Sequence, residues 1–178
     1  MSALLNLLPN PKKVIIKNEE LYAFTLNGEE YLLGRGKIGK VHTAVYLTKL
    51  FEELKIKRVF NIGTSGGIKK DLKISDVVIA SRVAYHDVDV TGFNYEIGQM
   101  CGCPTYFDCD MEYVNSKVID SKYNVVKGLI VSGDQFITKS NLARTHINEF
   151  ENVIACEMEA SAVGQVCHLY QIPFVVVR

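Results

Sequence analysis

Short apolar runs rich in valine and isoleucine place the strongest constraint on what this chain can fold into. We predict strands at 58–62, 76–84, 125–131, 152–156 and 174–177, with helical patterns at 41–54 and 159–170. Apolar strands that alternate with helices are typical of a parallel sheet whose two faces are both covered. The sequence therefore predicts one α/β domain over residues 1–178, with three α/β/α layers around a mostly parallel, twisted sheet.

The first forty residues carry a different pattern. Asn27-Gly28 separates two alternating runs, which predicts a hairpin of strands at 21–26 and 30–33, preceded by a short strand at 14–16. Residues 85–110 show little periodicity. Loops of that length are often functional.

Composition narrows the class of protein. The chain has 178 residues, 48% of them hydrophobic, and a formal net charge of zero. This balance argues against disorder, nucleic-acid binding and membrane-surface binding. No apolar stretch is long enough to span a bilayer and no signal pattern opens the chain, so we expect a soluble, cytoplasmic protein.

Five cysteines raise the question of a metal site. Cys101, Cys103 and Cys109 are spaced C-x-C-x5-C, which matches no standard zinc pattern, and no fourth ligand is evident. We therefore interpret the cysteines as reduced thiols and expect neither a metal nor a cofactor.

Two glycine-rich turns follow strands. Gly34, Gly36 and Gly39 fit G-x-G-x-x-G, but no acidic residue stands at a strand end about twenty residues on. We favour a strand-to-helix turn that needs positive φ, with Ile38 as a possible pocket wall. The turn at 63–67 follows a buried strand, where its amides and hydroxyls suit a sugar, a water or an anion. A tight turn with incidental hydroxyls is the alternative.

A pair of carboxylates marks the most informative segment. Glu157 and Glu159 flank Met158 where an apolar strand gives way to a small-residue helix. Strand ends hold ligand-binding groups rigidly in α/β enzymes. This segment is therefore a predicted binding site.

Five motifs in register carry a family resemblance. They are N-I-G-T-S-G-G-I (61–68), Y-H-D-V-D-V-T-G-F-N-Y-E-I-G-Q (85–99), G-L-I-V-S-G-D-Q-F-I (128–137), E-M-E-A (157–160) and P-F-V-V-V-R (173–178). Over about residues 20–178 the chain resembles the nucleoside phosphorylase/nucleosidase superfamily, and within it the 5′-methylthioadenosine/S-adenosylhomocysteine nucleosidases. The resemblance implies hydrolysis of the N-glycosidic bond, with release of adenine and a thioribose.

The resemblance also implies roles for individual residues. Glu159 would accept hydrogen bonds from the ribose hydroxyls, and its charge suits an oxocarbenium-like transition state. Met158 would pack on the ribose, Phe136 would stack on adenine, and the backbone of Ile137 would read the base edge. Core packing is the alternative for Met158 and Phe136. The expected substrate-binding set also contains eight further residues: Ile38, Thr64, Ser65, Gly66, Phe93, Tyr95, Glu157 and Arg178.

Within that set, three further groups have implied places. Thr64, Ser65 and Gly66 would line the ribose and water side, and Arg178 would anchor near the sugar or position Glu159. Ile38, Phe93 and Tyr95 would form an apolar slot for the 5′-thioalkyl group, partly supplied by a second subunit. The resemblance thus implies a homodimer with residues 85–110 at or near the interface. His86, Asp87 and Asp89 would serve loop structure and the dimer contact rather than a metal.

Asn61 favours water over phosphate as the attacking group. Many phosphorylases of this superfamily carry an arginine just ahead of the G-[ST]-x-G turn, and this chain has Asn61 there. A phosphate-using site needs cations. Arg35 is a possible substitute, so a purine nucleoside phosphorylase of the same fold stays open.

Two parts of the family pattern have no counterpart in this sequence. The family opens with a strand followed by a water-activating glutamate, whereas residues 1–8 resemble the helix after that strand. It also continues past V-V-V-R to an aspartate that protonates adenine. We leave the catalytic residues unassigned, and expect a longer, active parent protein and an inactive 178-residue chain. A non-catalytic nucleoside-binding protein or fragment is the other alternative.

Overall fold

A computed structural model of the protein describes residues 2–116 and 123–178. Its elements, in chain order, are α1 (Ser2–Leu5), β1 (Lys12–Ile16), β2 (Glu19–Leu26), β3 (Glu29–Gly34), α2 (Lys40–Glu53), β4 (Val59–Ile62), β5 (Gly66–Gly67), β6 (Val77–Tyr85), β7 (Phe107–Asp108), α3 (Met111–Ser116), β8 (Val125–Ser132), β9 (Val153–Glu157), α4 (Ala160–Tyr170) and β10 (Phe174–Val177). The predicted strands and the two long helices are confirmed to within about two residues at each end.

Within the described residues, seven strands form the central sheet in the order β4-β10-β6-β8-β9-β5, with β7 paired to β6. The pairs β4–β10, β6–β8 and β8–β9 are parallel. The pairs β6–β10, β5–β9 and β6–β7 are antiparallel. The sheet is therefore mixed, and its longest pairings are the parallel ones that the apolar strands predicted.

Alternating side chains of the central strands enter cores on opposite faces of the sheet. Ile130 packs with the helices α2 and α4, whereas Leu129 and Val131 pack on the other face with the segment that contains Ile147. Val175 also faces away from α4 and packs with Val114 of α3. Because a strand has a side-chain period of two, this division confirms the three layers.

Small residues in α4 let the helix lie close to the sheet. A Cβ atom added at Gly164 would lie 2.7 Å from Val83 and 2.9 Å from Phe107. Any larger residue would force the helix away from the sheet.

The N-terminal strands form a separate antiparallel sheet in the order β1-β2-β3. Leu26 pairs with Glu29, so Asn27 and Gly28 form a two-residue turn, with φ of 53° and 81° respectively. Positive φ at both positions is what a type I′ hairpin requires, and the predicted hairpin is confirmed.

Three short elements have no clear signal in the sequence. They are the two-residue strands β5 and β7 and the six-residue helix α3. Two residues are too few to show a period. Residues 1–8, whose pattern resembles a helix, form α1 at Ser2–Leu5, and Met1 lies outside the described residues. Among the described helices, none is long and apolar enough to cross a membrane.

Candidate functional site

The carboxyl ends of two neighbouring parallel strands carry the centre of the site. Ser132 ends β8 and Glu157 ends β9, and the two residues are paired in register. Glu159 follows at the position before the first residue of α4, so both glutamates of the E-M-E segment lie at one edge of the sheet. Strand ends of this kind are where open α/β sheets bind ligands.

Glu157 is buried and accepts hydrogen bonds from four donors. These are Ser132 Oγ at 2.5 Å, the backbone N–H groups of Glu159 and Ala160 at 3.0 Å, and Arg178 Nη2 at 2.7 Å. The carboxylate thereby satisfies the first N–H groups of α4. With its lone pairs occupied, Glu157 has little capacity to take a proton from a water.

Arg178 is equally committed to protein partners. Its Nη1 donates to the carbonyl oxygens of Asn61 at 2.9 Å and Val177 at 3.0 Å, and its Nη2 donates to Asn61 Oδ1 as well as to Glu157. The side chain is only 2% exposed. The guanidinium therefore faces a carboxylate and amide oxygens, and it is tied to Glu157 rather than hydrogen-bonded to Glu159.

A pair of buried serines supports Glu157 from behind. Ser161 donates its backbone N–H to Ser132 Oγ at 2.8 Å, and its hydroxyl lies 2.6 Å from the carbonyl oxygen of Ala84 and 2.9 Å from Ser132 Oγ. This leaves the Ser132 proton for Glu157. Sequence reasoning missed both serines. The available signal was a hydroxyl at the end of a buried strand, where an unpaired polar group would be costly.

Glu159 is the carboxylate that faces open space. It is half-buried, and its Oε1 accepts the backbone N–H of Gly39 at 2.9 Å. Burial, followed by the charge of Glu157, raises its pKa, while the Gly39 N–H and the charge of Arg178 act in the opposite direction. Gly39 has φ of 97°, so of the three glycines in G-x-G-x-x-G it is the one that needs the predicted positive φ.

Glu159 opens into a cleft of about 370 Å³. The cleft lies between the β3–α2 turn and the end of β4. Of the predicted set, Ile38, Thr64, Glu159 and Arg178 line it, together with residues that include Arg35, Lys37, Asn61, Ile62 and Gly63. The structure thus brings the two glycine-rich turns and the E-M-E segment around one space.

The other predicted residues lie outside the lining of this cleft. Phe93 and Phe136 are 77% and 79% exposed, and Tyr95 and Met158 are half-buried. Ile137 is half-buried against the core face that contains Leu129. Ser65 and Gly66 follow Thr64, and Gly66 pairs with Cys156 beside Glu157. Exposed aromatic rings of this kind suit contact with a planar ligand.

The candidate metal ligands have other partners or stay apart. Asp89 accepts the N–H and hydroxyl of Thr91, and Asp87 contacts Lys40. All five cysteines are free thiols, of which Cys101 is exposed. Across residues 2–116 and 123–178, no three His, Cys, Asp or Glu side chains are grouped so that they could hold a metal ion.

Comparisons with known proteins agree with this geometry. The model of the phosphorylase superfamily matches residues 2–178. A 5′-methylthioadenosine/S-adenosylhomocysteine nucleosidase from Bacillus cereus (strain B4264) is 46% identical over 157 residues, which cover 86% of this chain and 68% of the relative.

Solved structures are similar over nearly the whole chain. The S-adenosylhomocysteine nucleosidase of Streptococcus pyogenes, in complex with 5-methylthiotubericidin, is 36% identical with a TM-score of 0.91, over 99% of this chain and 76% of that one. The 5′-methylthioadenosine/S-adenosylhomocysteine nucleosidase of S. pneumoniae, with the transition-state inhibitor MT-ImmA, is 32% identical with a TM-score of 0.90, over 99% of this chain and 78% of that one.

Proposed function

This chain belongs to the phosphorylase superfamily, and from that premise we propose that it hydrolyses the N-glycosidic bond of 5′-methylthioadenosine and S-adenosylhomocysteine. The bond between ribose C1′ and the adenine nitrogen breaks. The oxygen of water bonds to C1′, and the departing adenine takes up a proton. Adenine and the corresponding thioribose are the products.

The single observation that favours hydrolysis over phosphorolysis is that Arg178 is fully engaged by protein partners. Its guanidinium is buried, paired with Glu157 and bonded to both oxygens of Asn61. A phosphate nucleophile needs a cation that is free to neutralise it. Because Arg178 is already hydrogen-bonded to the neutral Asn61 and paired with Glu157, it is not free to bind phosphate. This favours water as the attacking group.

Glu159 supplies the electrostatic part of the reaction. Its carboxylate lines the cleft and is oriented by the Gly39 N–H. We assign it to the ribose hydroxyls, where a negative charge stabilises the positive charge that develops on the sugar. Phe136 and Ile137 are assigned to adenine, Met158, Thr64, Ser65 and Gly66 to the ribose and water, and Ile38, Phe93 and Tyr95 to the 5′-thioalkyl group.

We leave proton transfer unassigned among these residues. Glu157 accepts from four donors, and the Oδ1 of Asp134 accepts the backbone N–H of Lys40 at 3.1 Å. A general base needs a lone pair aimed at the water. The geometry therefore makes Glu157 a positioning group for Arg178 and α4.

One observation favours a phosphorylase as the second candidate. Arg35 and Lys37 are exposed on the rim of the same cleft. Either cation could meet a phosphate if the turn moved inward. The two functions differ in their nucleophile, which makes them easy to separate.

The test measures adenine release from 5′-methylthioadenosine by the protein at its natural length, with and without inorganic phosphate, in ¹⁸O-labelled water. A hydrolase gives free methylthioribose labelled at C1, at a rate independent of phosphate. A phosphorylase gives the unlabelled 1-phosphate and requires phosphate. Tight binding of the nucleoside with no adenine release under either condition would overturn catalysis and favour a binding protein. Glu159→Gln, which keeps shape but loses charge, is the matched variant and should lower the rate about 10²-fold or more.

We also propose that the protein is a homodimer, with residues 85–110 at or near the interface, and that it is located in the cytoplasm. Val41 and Val45 of α2 are 73% and 51% exposed, and Met100 from the long segment lines the same shallow surface pocket as Val41. Apolar groups exposed together mark an interaction surface. Five free thiols suit a reducing compartment. Light scattering should give twice the monomer mass, and Val41→Glu should shift it toward the monomer.

A further inference from the structure

The start of helix α2 is capped by carboxylates from distant parts of the chain. Gly39 precedes the helix and has no side chain to cap it. Instead, Gly39 N donates to Glu159 Oε1 at 2.9 Å and Lys40 N donates to Asp134 Oδ1 at 3.1 Å. The first N–H groups of a helix lack intrahelical acceptors and carry its positive end, so carboxylates are favourable there. Glu159 is thus oriented by a helix 120 residues away in sequence.

The side chain of Lys40 ties the same helix to two strand ends. Its Nζ lies 2.9 and 2.8 Å from the two oxygens of Asp87 and 3.6 Å from Asp134 Oδ2. Asp87 in turn accepts the backbone N–H of Asp134 at 2.8 Å. Lys40 also lies 5.2 Å from the centre of the Tyr85 ring. Asp87 follows β6 and Asp134 follows β8, which are parallel neighbours.

This ion pair is well shielded from solvent. The side chains of Lys40 and Asp87 are 22% and 13% exposed, whereas that of Asp134 is 49% exposed. In such a pair, loss of one partner leaves an uncompensated charge, and the segment must move to reach water. The position of Gly39, one residue before Lys40, would then change.

We propose that Lys40 is a positioning residue for Glu159. Its pairing with Asp87 and Asp134 fixes the start of α2, and the Gly39 N–H then holds the carboxylate of Glu159 toward the ribose. The inference rests on the proposed function, because it takes Glu159 to be the ribose ligand. Lys40 itself contacts no substrate in this assignment.

The charges around Glu159 give a further expectation. Burial, followed by the charge of Glu157 on β9, raises the pKa of Glu159, while the Gly39 N–H on the α2 side and Arg178 after β10 lower it. Lys40 and its two aspartates face the same helix start. Loss of the Gly39 contact should therefore raise the pKa of Glu159 further, so that ribose binding weakens at a higher pH than in the unaltered protein.

Calorimetry on the protein at its natural length can isolate the effect on the sugar. Two ligands are compared: 5-methylthiotubericidin, which carries the ribose, and adenine, which does not. Lys40→Met should lower the affinity for the nucleoside analogue about tenfold or more, which is the effect of losing a hydrogen bond to a charged group. The affinity for adenine should change by less than about twofold. Lys40→Arg keeps the charge and should restore the affinity.

The matched control is Lys49→Met on the same helix. Lys49 pairs with Glu19 at 2.6 Å, and neither residue lines the cleft, so its loss should leave both affinities unchanged. As the pH is lowered, the affinity for the analogue should begin to fall at a higher pH in Lys40→Met than in the unaltered protein. In Lys49→Met this pH should not change. A merely structural role for Lys40 would not produce this pH shift.

The outcomes separate the inference from the function on which it rests. Equal weakening of both ligands, or no weakening of either, would overturn the positioning role while leaving the function intact. Unaltered protein that binds neither ligand would overturn both. If Lys40→Met does not fold, Asp87→Asn breaks the same ion pair and keeps an acceptor for the Asp134 N–H. An unchanged analogue affinity in that variant would also overturn the inference.

Discussion

Arg178 Nη2 lies 2.7 Å from Glu157 Oε2, and the two side chains are only 2% and 4% exposed. This ion pair joins the residue after β10 to the end of β9 across the site. Arg178 extends the connection to Asn61, at the end of β4. Three strand ends are therefore held by one guanidinium group.

Glu157→Gln should lower the free energy of unfolding by about 3–5 kcal/mol, because it leaves Arg178 buried without its counter-charge. Denaturant titration measures the loss. The control is Glu19→Gln, which breaks the more exposed pair with Lys49 and should cost about 0–1 kcal/mol. Equal losses in the two variants would show that the buried pair has no special weight.

Glu159→Gln should raise stability at neutral pH while it abolishes tight ribose binding. Burial raises the pKa of Glu159 above its ordinary value of 4.5, so its ionisation opposes folding. That cost is absent below pH 4.5 and complete above the folded-state pKa. Thermal melts should therefore show no gain for the variant in acid and a higher Tm near pH 7.5. A gain that is the same at all pH values would contradict this account.

Local sequence signals predicted most of the sheet. The valine-rich run at 125–131 became β8 with one residue more, and Asn27-Gly28 formed its hairpin turn. These signals lie within a few residues of one another, and they follow from side-chain period and turn chemistry alone. The antiparallel pairing of β6 with β10 could not be predicted in this way, because it is a contact of Val177 with Ile79 across the fold.

The candidate site was predicted as a set of residues but not as a network. The E-M-E segment identified Glu157 and Glu159, yet their different roles depend on Ser132, Arg178 and Gly39, which are distant in sequence. A carboxylate saturated by donors and one facing a cleft look the same in the sequence. What could have been noticed is that several strands end in a polar residue, since parallel neighbours place such residues at one edge.

Ser132→Ala should destabilise the protein and loosen Glu157. The change removes the 2.5 Å hydrogen bond to Glu157 and leaves the backbone N–H of Ser161 without its acceptor. A buried donor left unsatisfied costs about 1–3 kcal/mol. Ser116→Ala, which removes an exposed hydroxyl bonded to the Tyr113 carbonyl, is the control. Denaturant midpoints that coincide for the two variants would mean that the serine pair is dispensable.

Gly133→Ala tests how tightly the strand ends are packed behind the site. An added Cβ would lie 2.5 Å from Cε1 and Nε2 of His86 and 2.9 Å from Cγ of Asp87. His86 is 1% exposed, so its ring or the backbone must shift within a packed interior, at a cost of about 1–3 kcal/mol. Since Asp87 is paired with Lys40, the same change should lower the affinity for 5-methylthiotubericidin more than the affinity for adenine.

Gly36→Ala is the matched control, because an added Cβ there meets nothing within 4 Å and the residue has no positive φ. It should leave the unfolding midpoint unchanged. If Gly133→Ala lowers stability but lowers the affinities for both ligands equally, its effect on the site is general and is not transmitted through Asp87. If it weakens the nucleoside analogue alone, the contact from Gly133 to Asp87 and Lys40 carries the effect to Glu159.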